Sequence, residues 1–115
     1  MNAYQTQTQL FKALAHPERL RLLNALRAQE ECVCHLTALL RKRQAYVSQQ
    51  LMALRNAGLI ADRKEGLRVY YHIQDPRVLT LLDEVNALTN AQESLEQHVT
   101  LAACTCPKCD VRGED

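Results

Sequence analysis

The sequence predicts a mainly helical α+β fold of about five helices and one two-stranded hairpin, and three observations carry that prediction. Apolar residues recur at helical spacing from about residue 5 to residue 57, the period switches to strand alternation over 59–73, and a seven-residue apolar repeat follows from 75 to 102. With 115 residues, 47% hydrophobic and 23% charged, the chain fits one soluble domain and leaves little room for a second. No apolar run approaches the roughly 20 residues of a bilayer span, and the opening MNAYQTQTQL has neither the basic nor the apolar region of a signal peptide. A cytoplasmic protein with no membrane partner is expected.

The first helix, about residues 5–15, sets Leu10, Phe11 and Leu14 on one face, and His16-Pro17 ends it, Pro17 being suited to the first position of a second helix. That helix, Pro17 to about Ala28, buries Leu20, Leu22, Leu23 and Leu26. A third, from about Cys32 to Leu40, carries Leu36, Leu39 and Leu40 and runs into the basic turn Arg41-Lys42-Arg43. A fourth, from about Gln44, places Val47, Leu51 and Leu54 at i, i+4 and i+7 and stops at Gly58, a left-handed cap. Two short helices about a basic turn predict a helix-turn-helix. Leu59 to Arg63, the turn Lys64-Glu65-Gly66 and a return over Leu67 to Ile73 predict a hairpin with a basic tip, a charged wing. From Asp75-Pro76 to about Ala102, one column of the repeat holds Val78, Val85, Gln92 and Val99, the other Leu81, Leu88, Leu95 and Ala102. A helix of roughly 40 Å is too long for so small a domain to cover. It is expected to make a homodimer through Val78, Leu81, Val85, Leu88 and Leu95.

Charge is unevenly spread. Residues 41–72 hold seven basic and two acidic side chains, and residues 73–115 three basic and eight acidic, although the whole chain carries only +1. A compact basic segment beside an acidic one is the footprint of a nucleic-acid-binding module. A helix at 44–57 fits the major groove of duplex DNA. With Val47, Leu51 and Leu54 inward, Gln44, Ala45, Tyr46, Ser48 and Gln49 are left to face base edges, while Arg41, Arg43, Arg63, Lys64 and Arg68 hold phosphates.

The five cysteines fall in two clusters, Cys32 and Cys34 in CVC and Cys104, Cys106 and Cys109 in CTCPKC. Without an export signal they read as thiols, and short-range thiol repeats suit soft ions. The chain divides into a domain over 1–103 and a Cys-containing tail over 104–115. Three thiolates suit As(III) or Sb(III), and four suit Cd(II), Pb(II) or Zn(II); no organic cofactor is expected. On a regular helix Cys32 and Cys34 point about 200° apart, so they meet on one ion only if the helix start is frayed or extended, and metal capture is expected to distort it. The third helix packs on the fourth, so that distortion can tilt the DNA-facing helix; a coupling of about 3 kcal/mol changes DNA affinity roughly 150-fold. His16, His35 and His72 read as bystanders.

The stretches LAHPERLRLLNAL (14–26), ECVCHLTALL (31–40), QAYVSQQLMALRNAGLI (44–60) and EGLRVYYHI (65–73) together resemble the ArsR/SmtB family of metal-sensing winged-helix repressors, in order over residues 10 to 100. The CVC at the start of the third helix is the most specific of these. The resemblance implies a metal-free dimer that represses by binding a pseudo-palindromic operator through helix 44–57 and wing 60–73, and that metal at Cys32, Cys34 and tail cysteines releases it. Departures matter. Asp75 matches the first ligand of the carboxylate and histidine site some members carry on the last helix, but the later positions fall on Arg77, Leu88 and Ala91, so that site is absent. No third Cys follows the CVC pair within its helix. Tyr46, Gln49 and Gln50 stand where relatives often show Thr and two His, and Leu67 replaces a frequent wing Arg. A repressor of the same fold that senses thiol oxidation or persulfides is the alternative, and a tail zinc knuckle with His98 is an alternative for the tail. No nucleophile, acid and base constellation points to an enzyme, and CPKC at 106–109 lacks the scaffold of a redox motif.

Overall fold

The chain begins with two capped helices. The computed structural model describes residues 1–90. Helix α1, Ala3–Leu14, starts earlier than its apolar spacing suggests, because Asn2 and Gln5 form a capping box: each backbone N–H donates to the other's side-chain oxygen at 2.9 Å. Its inward face is Leu10, Ala13 and Leu14; Phe11, one step from Leu10 and so about 100° round the helix, is 60% exposed rather than buried. Helix α2, Pro17–Ala25, is capped by His16, whose Nδ1 accepts from the backbone N–H of Glu18 at 3.2 Å. His16 therefore has a structural task. Leu22, Leu23 and Leu26 are buried as expected, but Leu20 turns to the rim and is 38% exposed.

A short strand β1, Glu31–Cys32, precedes helix α3, Val33–Leu40. Arg41, in the left-handed conformation with φ of 56°, closes α3, and Arg43 leads into helix α4, Gln44–Asn56. Gly58, with φ of 79°, ends α4 in a Schellman arrangement: Leu59 N–H donates to Leu54 O at 3.1 Å and Gly58 N–H to Arg55 O at 2.9 Å. Strands β2, Ile60–Glu65, and β3, Arg68–Ile73, pair antiparallel. The pairing runs out to Glu65 opposite Arg68, so the turn is Gly66-Leu67 rather than Lys64-Glu65-Gly66. Gly66, with φ of 60°, supplies the first position of a type II′ connection.

The sheet has three strands in the order β1-β3-β2, one more than the hairpin alone. Cys32 pairs with Tyr70 and Glu31 with Tyr71. Leu22, Leu23, Leu36, Val47, Leu51 and Leu54 form the centre of the core with no exposure, sites where truncation to Ala typically costs about 2–5 kcal/mol. Arg19 ties α2 to α4 by donating from Nε to Oε1 of the buried Gln50 at 2.8 Å.

Helix α5, Arg77–Thr89, is shorter than the continuous helix expected to Ala102, ending where Asn90 turns left-handed with φ of 55°. Residues 91–102 of that expectation lie outside the described residues, as do Leu95, His98, the boundary at 103 and the three tail cysteines. Val78, expected on a seam between subunits, is buried with Leu82 in the domain's own core: the first turns of α5 dock on the body they follow. Leu81 is half-buried against the same core, whereas Val85 is 40% and Leu88 85% exposed. Arg27, just past the end of α2, pairs with Asp83 on α5 at 2.8 Å.

Candidate functional site

Helices α3 and α4 and the turn between them form a helix-turn-helix, and burial settles which side of α4 faces out. Val47, Gln50, Leu51 and Leu54 point inward. Gln44, Ala45 and Gln49 are exposed, Ser48 half-buried, and Tyr46 leans partly on the core. Met52 and Asn56 share this outward face and were missed by sequence reasoning, although they follow Gln49 at i+3 and i+7. Arg41, Lys42 and Arg43 are exposed at the start of α4 and make no ion pair among the described residues.

The wing is different. Lys64 is exposed and Arg68 half-buried. Arg63 is engaged: its Nε donates to Glu30 Oε2 at 3.0 Å, its Nη1 to Glu65 Oε2 at 3.2 Å, and its guanidinium lies 4.7 Å over the Tyr70 ring. The hydrogen bond to Glu30, then that to Glu65, raise its pKa further above an already high value, so it remains a cation.

The thiol pair sits at the junction of β1 and α3. Cys32 is extended, with φ of −77° and ψ of 157°, and caps α3: its Sγ accepts from the backbone N–H of His35 at 3.3 Å. Cys34 lies one residue inside the helix. The extended cap cancels the 200° divergence of a regular helix, and the two sulfurs come within 2.6 Å as free thiols. The extended helix start that their meeting requires is present. Cys32 is buried, Cys34 half-buried, and both pack against Tyr70 apart from the main core.

Beside the pair lies a feature the sequence reading passed over. His35, expected as a surface bystander, is buried, and its Nε2 is 3.4 Å from Oε2 of the fully buried Glu31, whose Oε1 accepts from Gln29 Nε2 at 3.2 Å. The i, i+4 spacing of Glu31 and His35 was a usable signal; the strand that buries Glu31 was not visible. Among the described residues no group of three or more His, Cys, Asp or Glu could hold a metal ion, so two sulfurs are what this part of the chain offers. Asp75 is committed elsewhere: side-chain and backbone hydrogen bonds from Arg77 lower its pKa to about 2.

The profile described as bacterial regulatory protein, arsR family, matches residues 16–62, from the start of α2 into β2. The chain is 44% identical over 81 residues to a transcriptional repressor SmtB homolog of Synechocystis sp., a match covering 70% of this chain and 61% of that one. The chain belongs to the ArsR family. A second relative of this ArsR-family chain is an arsenic resistance transcriptional regulator of Pseudomonas putida, 43% identical over 56% of this chain and 51% of that one. The chain thus spans roughly half to three fifths of the length of these relatives. A solution structure of a homodimeric winged helix-turn-helix DNA-binding domain from Mycobacterium bovis superimposes with a TM-score of 0.72 at 28% identity, covering 84% of this chain and 89% of that one. The family and these relatives are transcriptional regulators, not enzymes, and the fold is that of the winged-helix class. No helix among the described residues is long and apolar enough to cross a membrane.

Proposed function

We propose that this ArsR-family chain is a repressor that binds duplex operator DNA as a homodimer through α4 and the β2-β3 wing and releases it when Cys32 and Cys34 capture a thiophilic ion. The observation that carries the reading is the convergence of two sulfurs on the cap of α3, the helix packed against α4. Two soft sulfur donors side by side favour As(III), Sb(III), Cd(II), Pb(II) or Zn(II) over hard cations, and since a tetrahedral ion with bonds of about 2.3 Å holds its sulfurs roughly 3.8 Å apart, capture would spread the pair. The remaining donors are assigned to Cys104, Cys106 and Cys109. The arsenic resistance regulator among the relatives supports such an inducer.

The chain's own residues supply a path from the sulfurs to the DNA. Cys32 holds the first turn of α3 through the His35 N–H and pairs across the sheet with Tyr70, on which Arg63 of the wing rests. Moving Cys32 therefore disturbs both α3 and the wing. Exposed Tyr4 and Phe11 on α1, with Val85 and Leu88 on α5, support a subunit contact through the terminal helices, as does the homodimeric Mycobacterium bovis domain. DNA contact is assigned to Arg41, Arg43, Gln44, Ala45, Tyr46, Ser48, Gln49, Lys64 and Arg68, with Arg63 withheld by Glu30.

Titration with As(III), Cd(II), Pb(II) and Zn(II) under strict reduction tests this, with thiolate-to-metal absorption and fluorescence anisotropy of labelled duplex read together. The expected result is absorption and DNA release in step, both lost in Cys32→Ser and Cys34→Ser and weakened in a chain cut after Ala103. Saturated absorption with undiminished anisotropy overturns the reading. The same sulfur separation favours one second reading, in which a two-electron oxidant such as peroxide takes the two thiols to a disulfide. Release by peroxide without metal, and none by metal without oxidant, would select it.

A further inference from the structure

On a helix of 3.6 residues per turn, Ala45, Gln49, Met52 and Asn56 form one ridge of α4, diametrically opposite the buried Val47, Leu51 and Leu54, with Ser48 and Ala53 on its shoulders. These six residues line one shallow, open depression together with Tyr46. None of them is charged. Arg55, the charged residue within α4, is turned off the ridge and pairs with Asp62 at 3.4 Å, and the cations Arg41, Lys42 and Arg43 are gathered before the helix starts. Met52 is 43% exposed at the centre of the ridge, unlike the buried Leu51 beside it.

Resting on the reading of α4 as the helix that enters the major groove, we propose that this ridge selects A·T base pairs, Gln49 and Asn56 through their amides to adenine and Ala45, Met52 and Ala53 through apolar contact with thymine methyl groups. Guanine is read in the major groove by Arg or Lys at O6 and N7, and the cytosine amino group by carboxylates; the ridge has neither. Adenine sets an acceptor, N7, beside a donor, the N6 amino group, and an Asn or Gln amide answers both at once. Thymine alone presents a methyl group, and the unbranched, polarizable side chain of Met52 fits itself to such a surface. A G·C pair under the ridge would leave its polar edge against alanine and methionine. The cations before α4 complement phosphates on either side without reading sequence, so charge holds the DNA and the uncharged ridge chooses it.

Selection from a randomised duplex pool by the reduced, metal-free, full-length protein tests the proposal. The expected half-site has A·T pairs at the positions under α4. Replacing thymine by deoxyuracil in the selected duplex removes the methyl group and keeps every hydrogen-bonding group; affinity should fall about fourfold per contacted methyl. In Met52→Ala, a surface variant whose folding is checked by circular dichroism, thymine and deoxyuracil duplexes should bind more nearly alike, and Gln49→Arg should move the selected pair to G·C. Half-sites centred on G·C, or a deoxyuracil duplex bound as tightly as its thymine parent, overturn the proposal. A pool from which no sequence is enriched overturns instead the reading of α4 itself, and the proposal with it.

Discussion

Arg41, Lys42 and Arg43, in the turn before α4, stand in solvent with no ion pair among the described residues, whereas Arg63 on the wing is held by Glu30 and Glu65 over the face of Tyr70. Both regions lie in the same basic segment of the chain, and each brings three cations, Arg41, Lys42 and Arg43 in the turn and Arg63, Lys64 and Arg68 in the wing. They are unequal as phosphate ligands. A guanidinium already satisfied by two carboxylates gives up charge-assisted hydrogen bonds to meet a phosphate, while the turn cations exchange only water and counterions.

Four measurements of affinity against salt concentration can break or sharpen this contrast, since each phosphate contact adds about 0.9 to the slope of log K against log salt. The largest effect is expected from the double variant Arg41→Ala, Arg43→Ala, which should lower the slope by about 1.8 and weaken binding to every duplex regardless of sequence. An unchanged slope would remove the turn from the interface. Lys64→Ala should lower it by about 0.9, since that side chain is exposed at the end of β2. Glu30→Gln should act in the opposite sense, raising the slope by up to about 0.9 by freeing Arg63; a decrease would show that Glu30 serves the DNA complex rather than restraining the wing. Arg63→Ala should have the smallest effect, near zero, against the equal roles that the sequence predicted for Arg63 and Lys64. If it instead matches Lys64→Ala, the pairing with Glu30 opens on DNA.

Glu30 also ties this contrast to the thiols, because it stands two residues before Cys32 and its partner Arg63 rests on the ring opposite Cys32. Displacing Cys32 shifts the strand that follows Glu30, so a change at the sulfurs and a change in the wing's available charge share one short segment.

The helix-turn-helix and the hairpin were legible in the sequence because each rests on spacing within a dozen residues: Val47, Leu51 and Leu54 for α4, and the alternation on either side of Gly66 for the wing. The third strand was not legible. Two residues, Glu31 and Cys32, have no period, and they are a strand only because β3 offers them an edge. His35, read as a surface bystander, lies buried beside Glu31 at the end of that strand, and the strand supplies the extended helix start on which the meeting of Cys32 with Cys34 was conditional. Phe11 and Leu20 failed differently. Their helices were correctly placed, but an apolar stripe does not say where the docking body ends: Leu14 and Leu23 took the inward positions there, whereas Val78, expected on a seam between subunits, lies inward with Leu82.

Amino-acid order alone determined which segments are helices, which form the hairpin, and that two thiols stand beside a DNA-binding pattern, because glycines and periodicity act through neighbouring bonds. Which thiols converge, which arginine is spent on a carboxylate 33 residues away, and which face of each terminal helix stays open were decided by packing. Those contacts exist only between elements that the folded core has already brought together.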